Sequence, residues 1–486
     1  MNDGSPVYEA IARYKAYLSP EDYERLLLSA TEPAPSAVRM NYLKTDDPSG
    51  ELTKLSNRYG WSVKPLAFHP DAVSIESSVT SPGQTLEHRM GQYYVQDAAS
   101  ILPVSLFSAK KAPRLTLDMA ASPGGKTTQL IDSTFDRGFV MANDSSASRL
   151  PALKTVLTLW GAANVAITNF SGEKLGDWLP EIFDRVLLDA PCSMEGLRDS
   201  TSHPFRSVTE GERNRLADRQ VALLESAIKA TKVGGEIVYS TCTLAPEEDE
   251  MVVDRVLKRY PGAIEVVHQP DFACTSGLTS FEAKELLPDL KNSIRVWPFS
   301  FGTNGFFAVK LIKKQLLPIA TSNMPTRPFT STGFVRLRSE DENRLHNLLT
   351  DRLGLDFASL FAELGLYLYE RQGQIYLLPQ AWVEHFATLP YYSLGMQIGK
   401  QIKDTFEPSI ELINRWNHLI KVRNWQIPDE FVSAWLRGGD LRGSQFEGAP
   451  ERGVVIIRDR EGRYLGAGKV IPGRIRNLLP NRNLLQ

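Results

Sequence analysis

Two of the three cysteines close apolar runs that read as β-strands. The run Phe183–Pro191 leads into Asp189-Ala190-Pro191-Cys192-Ser193, and the run Gly234–Cys242 ends in Ser240-Thr241-Cys242-Thr243. In an open parallel sheet the C-terminal ends of the strands border the ligand crevice. Two thiols at the ends of adjacent central strands would therefore face one place. A thiolate there could act as a covalent nucleophile, dividing one hard step into easier ones. A neighbouring carboxyl group, for which Asp189 is the candidate, could stabilise charge that develops during addition. The bland alternative is that both thiols are small buried hydrophobes, as free cysteines often are. It suits one cysteine better than two, one of them beside an Asp-Ala-Pro turn. Chemistry alone does not order the pair. With Cys274 the total is odd and too small for a disulfide framework, and no Cys-x-x-Cys or His-rich spacing suggests a metal.

A second chemical signal lies upstream. The run Arg114–Ala120 passes into Asp118-Met119-Ala120-Ala121-Ser122-Pro123-Gly124-Gly125-Lys126-Thr127. A strand, a turn of small residues and a helix start make a nucleotide-type site, because a ligand can approach the backbone and the helix N-terminus. A phosphate-binding P-loop would need glycine at position 120, where this chain has Ala120. Asp144 ends the next strand, 26 residues after Asp118, where a carboxylate can accept both hydroxyls of a ribose. A nicotinamide dinucleotide would also suit that acid, but the turn is not G-x-G-x-x-G. A plain structural turn is the remaining alternative.

The elements that must hold these residues alternate. Strands are expected at Arg114–Ala120, Gly138–Asp144, Asn164–Phe170, Phe183–Pro191 and Gly234–Cys242. Between the last two, Ala217, Val221, Leu224 and Ile228 fall on one face of a helix. This pattern predicts an α/β fold with a mostly parallel sheet covered on both sides, closed by a β-hairpin in Arg295–Lys314. Upstream, AVRMNYLK, GELTKLSNRYG and WSVKPLAFHPDAVSI read as strand, helix and one or two strands. Downstream, SNMPTRPFTSTG is a linker by composition, RQGQ reads as a hairpin turn, and VVIIRDREGRYLGAGKVI as strand, turn, strand.

With 486 residues, 42% hydrophobic and 23% charged, the chain is ordinary for a globular protein of about three domains. No apolar run is long enough for a membrane helix. The first residues scatter charge through what would have to be a signal peptide's apolar core, and read as one short amphipathic helix. The net charge of −2 is not evenly spread. From Glu411 onward there are 13 Lys+Arg against 8 Asp+Glu, a local excess of +5, and the last 25 residues carry Arg463, Lys469, Arg474, Arg476 and Arg482 with no acid. Such a tail is where phosphate contacts would be expected, or it is only a solvated surface.

The motifs DMAASPGGKTTQ, LLDAPCSMEG and VYSTCTLAPEEDE resemble the cofactor, proline-cysteine and threonine-cysteine motifs of the RNA 5-methylcytosine methyltransferases, the NOL1/NOP2/Sun family. VRMNYLK, YYVQDAAS and RVWPFSFGTNGFFAVKL are similar to further blocks, so the likeness runs over about residues 36–314. LGAGKVIPGRIRNLLP resembles part of a PUA-like RNA-binding domain. The resemblance implies a class I, Rossmann-like methyltransferase fold with a seven-stranded sheet and S-adenosyl-L-methionine as cofactor. It divides the chain into an RNA-binding α/β domain (1–92), a catalytic domain (93–314), a linker and middle domain (315–389) and a PUA-like RNA-binding domain (390–486). Cys242 would be the nucleophile and Cys192 would assist product release. Asp189 would lie between cofactor and base, Asp144 would hold the ribose, and Ala120, Ala121, Ser122, Pro123, Gly124, Gly125 and Lys126 would cradle the methionine end. The architecture is similar to a bacterial branch that modifies a cytosine of 16S ribosomal RNA. That implies the small ribosomal subunit as partner and a cytoplasmic monomer with no membrane or metal. A transfer RNA methyltransferase and a non-catalytic RNA-binding or ribosome assembly factor are the alternatives.

The reaction so implied explains the thiol. Carbon 5 of cytosine is a poor nucleophile until a thiolate adds at carbon 6 and turns the ring into an enamine, and the base must leave any helical stack to be reached. Two departures stand out. Asn169-Phe170-Ser171-Gly172 lacks the family's adenine-contacting aspartate, leaving Ser171 as a weaker partner. SMEGLRDSTSHP replaces a Gly-x-Gly turn after Cys192.

Overall fold

The computed structural model describes residues 6–109, 114–199, 205–269, 272, 274–402, 405–443 and 451–480. Near the N-terminus β1 (Ser36–Met40), β2 (Trp61–Leu66), β3 (His69–Ser78) and β4 (Tyr93–Asp97) form a sheet in the order β2-β3-β1-β4. Tyr93–Asp97 therefore pairs with the sheet that precedes it, although it falls on the other side of the expected boundary at 92. Two helices, Pro6–Ala12 and Pro20–Ser29, occupy the stretch read as one. The break follows from Ser19-Pro20: proline disfavours a helical residue before it, and the Ser19 side chain accepts from the backbone N–H of Asp22 to start a new helix.

The large sheet carries the site. β5 (Leu115–Asp118), β6 (Phe139–Asn143), β7 (Val165–Thr168), β8 (Phe183–Asp189) and β9 (Thr231–Thr241) are parallel, in the order β7-β6-β5-β8-β9. Phe306–Lys313 and Ile294–Val296 continue it antiparallel beyond β9, which makes the seven strands of the expected class. Three short strands, Ile264–Val266, Thr275–Ser276 and Ser393–Leu394, bring the sheet to ten. β5, β6 and β7 are buried along their whole lengths, because helices cover both faces, and this is why they read as unbroken apolar runs. The helix Glu210–Ala230 buries Ala217, Val221, Leu224 and Ile228 as its spacing predicts. Strand order reverses between β5 and β8, and the crevice that a parallel sheet offers a ligand opens there, outside the C-terminal ends.

Two further five-stranded sheets follow. One joins Val335–Arg336, Leu366–Arg371, Gln374–Pro379, Met396–Ile402 and Thr405–Pro408, and so runs across the expected boundary at 389/390. Its hairpin turn has Gln372 and Gly373 at φ 54 and 75, both left-handed as a tight two-residue hairpin needs. The other, mostly antiparallel, holds Gly453–Arg458 and Tyr464–Ile471, the strands read on either side of the charged turn. Among the described residues no helix is long and apolar enough to cross a membrane.

Candidate active site

β8 and β9 lie side by side in register, with Asp189 opposite Ser240. That pairing places the two cysteine loops together, and the Cys192 and Cys242 sulfurs are 3.0 Å apart, both half-buried. Hydrogen bonding to Cys242 together with burial pushes the Cys192 thiol well above its ordinary range. On the other side of the crevice Asp189 accepts from the Ser240 hydroxyl at 2.8 Å and from the Lys126 ammonium at 2.7 Å. Burial works against the Lys126 charge, but Asp189 outweighs it and the pKa of the lysine rises. Asp189 is therefore one half of an ion pair, which the sequence did not disclose.

The acidic run Glu247-Glu248-Asp249-Glu250 holds these loops in place from beneath. The Glu248 carboxylate accepts from the Ser193 backbone N–H at 3.0 Å and from Gln220 at 2.9 Å, while Gln220 also donates to the Pro191 carbonyl. Asp249 accepts from Thr241 at 2.6 Å. Glu250 takes two hydrogen bonds from Arg295, at 2.5 and 2.7 Å, and both side chains are fully buried. Four successive charges that could be read as a solvated stretch are a scaffold whose members each grip a different element. Arg295 anchors this scaffold to the strand Ile294–Val296.

The cofactor turn is fastened just as closely. Ala121 donates its N–H to the Asn143 carbonyl, and the Ser122 N–H to Asp144 at 3.1 Å. The other oxygen of Asp144 accepts from the Ser146 N–H at 2.9 Å. Pro123 is exposed and Ala120 half-buried at the open side, while Ala121 and Ser122 are buried. Gly124 has φ 116, and a Cβ there would meet Val156 at 3.0 Å; one on Gly125 would meet Gln96 at 2.8 Å and Tyr94 at 2.9 Å. The glycines were expected to make room for a ligand. Their neighbours are protein: the helix Leu150–Trp160 on one side and β4 on the other. Gly125 opens the helix Gly125–Asp132, whose carbonyl at Gly125 and hydroxyl at Thr128 both accept from the buried Arg39. Arg39 also pairs with Asp132. A single arginine of β1 thus ties the N-terminal sheet to the cofactor helix, and it sits in the VRMNYLK block without having been singled out.

Asp118 was also missed as a site residue. Burial pushes its carboxyl up to about 7, offset in part by the Thr127 hydroxyl that donates to it at 2.7 Å, and its second oxygen is buried without a partner. Just after β7, Ser171 donates to Glu173 at 2.5 Å and Asn169 donates to the Asp144 carbonyl at 2.7 Å. In the loop after Cys192 the backbone is left-handed at Met194 (φ 64) and Leu197 (φ 56). The conformation suited to glycine is kept without glycine, and Met194 hangs its side chain 59% exposed two residues from the thiol. Residues 200–204 of that loop lie outside the described residues.

The basic tail needs a correction. Lys469 pairs with Glu407 at 2.7 Å, Arg474 with Asp440 at 2.9 Å, and Arg463 with Asp459 at 2.5 Å. For Lys469 and Arg474 the acids come from segments far back in the chain, while Arg463 is met by Asp459 of its own turn. Arg482 lies outside the described residues.

Residues 107–312 match the family described as 16S rRNA methyltransferase RsmB/F. The chain is 30% identical to "Ribosomal RNA small subunit methyltransferase F" of Erwinia tasmaniensis, over 95% of this chain and 92% of that protein. The protein of the same name from Vibrio parahaemolyticus is 31% identical, over 96% and 94%. A crystal structure of a methyltransferase homolog protein from Pyrococcus horikoshii superposes with a TM-score of 0.55 at 30% identity, covering 62% of this chain and 93% of that one. The crevice between β5 and β8, the fastened cofactor turn and the paired thiols thus stand in a chain that belongs to the RsmB/F family of 16S rRNA methyltransferases.

Proposed function

We propose that this protein methylates carbon 5 of a cytosine in 16S ribosomal RNA, with Cys242 as covalent nucleophile, in the cytoplasm and as a monomer. The observation that carries the reading is the 3.0 Å approach of Cys192 and Cys242 beside the Asp189–Lys126 pair. S-adenosyl-L-methionine fits the adjacent crevice. Asp118 has a buried oxygen in need of a donor, and Asp144 ends β6 in the position of a ribose acceptor. Ala120 to Lys126 and Asp144 would hold it, and it would supply an electrophilic methyl group.

The protein's own residues do the rest. The Cys242 thiolate adds to carbon 6 of the flipped base, and carbon 5 becomes nucleophilic. Cys192 lies in hydrogen-bond contact with the sulfur of Cys242 beforehand and next to the adduct afterwards, where as a thiolate it takes the carbon-5 proton, so that the 5,6 double bond re-forms and the Cys242 thiolate leaves. Asp189 faces the charge that develops at ring nitrogen 3. The Lys126 ammonium, paired with that carboxylate at 2.7 Å, offsets its charge and favours the negative charge that develops on the ring. The N-terminal sheet and the C-terminal β region position the RNA.

Covalent capture tests the reading. Cys192→Ala is expected to accumulate a protein–RNA adduct that survives denaturing electrophoresis, and Cys242→Ala to form none and to lose methylation. A stable adduct in the Cys242 variant would reverse the two roles. Bisulfite sequencing of ribosomal and transfer RNA from a deletion strain identifies the substrate, and a lost mark in transfer RNA alone would overturn the 16S reading.

A further inference from the structure

A cleft of about 360 Å³ lies beyond the outer edge of the large sheet, between the helix Leu150–Trp160, β7 and the strands that follow residue 334. Its volume falls in the range of small-ligand sites, about 300–1,000 Å³. Phe334, Tyr376, Tyr391 and Tyr392 line it, together with Lys154 and Arg371. The Arg371 guanidinium lies 4.6 Å from the ring centre of Phe334 and 5.3 Å from that of Tyr376. Tyr392 is 46% exposed, and its backbone N–H donates to the Ile167 carbonyl, so its ring is held beside β7. Ser393, Gln397 and Thr158 add polar groups to the walls. Among the described residues neither Lys154 nor Arg371 has an ion-pair partner, and Glu411 is the one acid in the lining.

We propose that this cleft binds one unpaired nucleotide of the RNA substrate, its base stacked on Tyr392 and Arg371 and its phosphate against Lys154. The inference rests on RNA being the substrate and adds a second contact site away from the target cytosine. The chemistry selects the ligand. Aromatic faces and a planar guanidinium stack any base, and an unpaired cation at the rim attracts a phosphate. A double-stranded segment could not place a base inside a cleft, so the occupant is a splayed-out nucleotide. An acidic peptide would use the cations but leave the exposed face of Tyr392 unused. Ring packing of Phe334 on Tyr376 and of Tyr391 on Trp382 fixes these walls in advance, which lowers the ordering cost of binding.

The test uses the full-length protein with S-adenosylmethionine and a fluorescein-labelled, mixed-sequence single-stranded RNA, read by anisotropy across a salt series. Tyr392→Ala and Arg371→Ala are expected to weaken binding about tenfold, as loss of one stacked base does. Tyr392→Phe keeps the ring and should stay within about twofold of the parent. Lys154→Ala should flatten the salt slope by about 0.7, one single-strand phosphate. In methylation of 16S RNA the Ala variants should raise KM and leave kcat as it was. Equal affinities across the set would overturn the proposal, as would a Tyr392→Phe variant as weak as Tyr392→Ala. Because Arg371 supports neighbouring rings, melting curves accompany it; should Arg371→Ala unfold, the exposed Tyr392 pair of variants decides the matter. A parent protein that binds RNA through Tyr392 but methylates no ribosomal RNA would leave the cleft standing and remove the proposed function.

Discussion

The C-terminal edge of the large sheet and the terminal β region both carry dense charge, and they use it in opposite ways. At the sheet edge, Glu248, Asp249, Glu250 and Arg295 are buried, and each is spent on holding a catalytic loop. In the terminal region Lys469, Arg474 and Arg463 stay part-exposed; acids 62 and 34 residues upstream neutralise the first two, and Asp459, four residues upstream, the third. The run of acids, to which the sequence reading gave no role of its own, is a scaffold, and three of the five bases of the tail, read as phosphate contacts or a solvated surface, are paired. Charge counts along a chain do not report burial or partner, and those two quantities decide what a charge does.

The comparison can be broken most directly at its buried end. Glu250→Ala removes both short hydrogen bonds to the buried Arg295 and leaves it Asp249 alone, at 3.6 Å; removing one partner of a buried pair costs about 3–5 kcal/mol. A large fall in melting temperature is expected, with loss of methylation. A variant that melts like the parent would show that the acidic run is no scaffold. At the cofactor turn, Asp144→Ala removes a charged acceptor. Two charge-assisted hydrogen bonds at about 1.5–3 kcal/mol each imply a loss of tenfold or more in S-adenosylmethionine affinity. Calorimetry showing unchanged affinity would remove the ribose role.

A pH series sharpens the same end. Asp118 keeps its proton in the folded state up to about pH 7, while in the unfolded chain it ionises near the ordinary 3.8. Folding therefore binds a proton in that window, and the contribution of Asp118 to stability, complete below pH 3.8, declines toward pH 7. Asp118→Asn should flatten the fall of melting temperature between those values, and parallel curves for parent and variant would refute it.

The smallest effect is expected at the terminal region. Lys469 and Arg474 are already paired, so alanine at either should change the salt slope of RNA binding by well under the 0.7–0.9 of a full phosphate contact. A drop of that full size would restore the tail as a phosphate-binding surface. Truncation near 390 is a poor test, because the cut would pass through a five-stranded sheet and remove Ser393–Leu394 from the edge of β7.

By itself the sequence determined the strands, since β5, β6 and β7 and the C-terminal halves of β8 and β9 are largely buried on both faces and so read as apolar runs, and it determined where the thiols and the small-residue turn fall on them. Position along a strand is local information, and a parallel sheet converts it into a common crevice. Tertiary structure alone decided which groups touch. The ion pair of Lys126 with Asp189 spans 63 residues and that of Arg39 with Asp132 spans 93. Both depend on strand order, which residue type does not encode. The unlike surroundings of Cys192 and Cys242 have the same origin. Two identical side chains differ only through the burial and hydrogen bonds that the fold gives each of them.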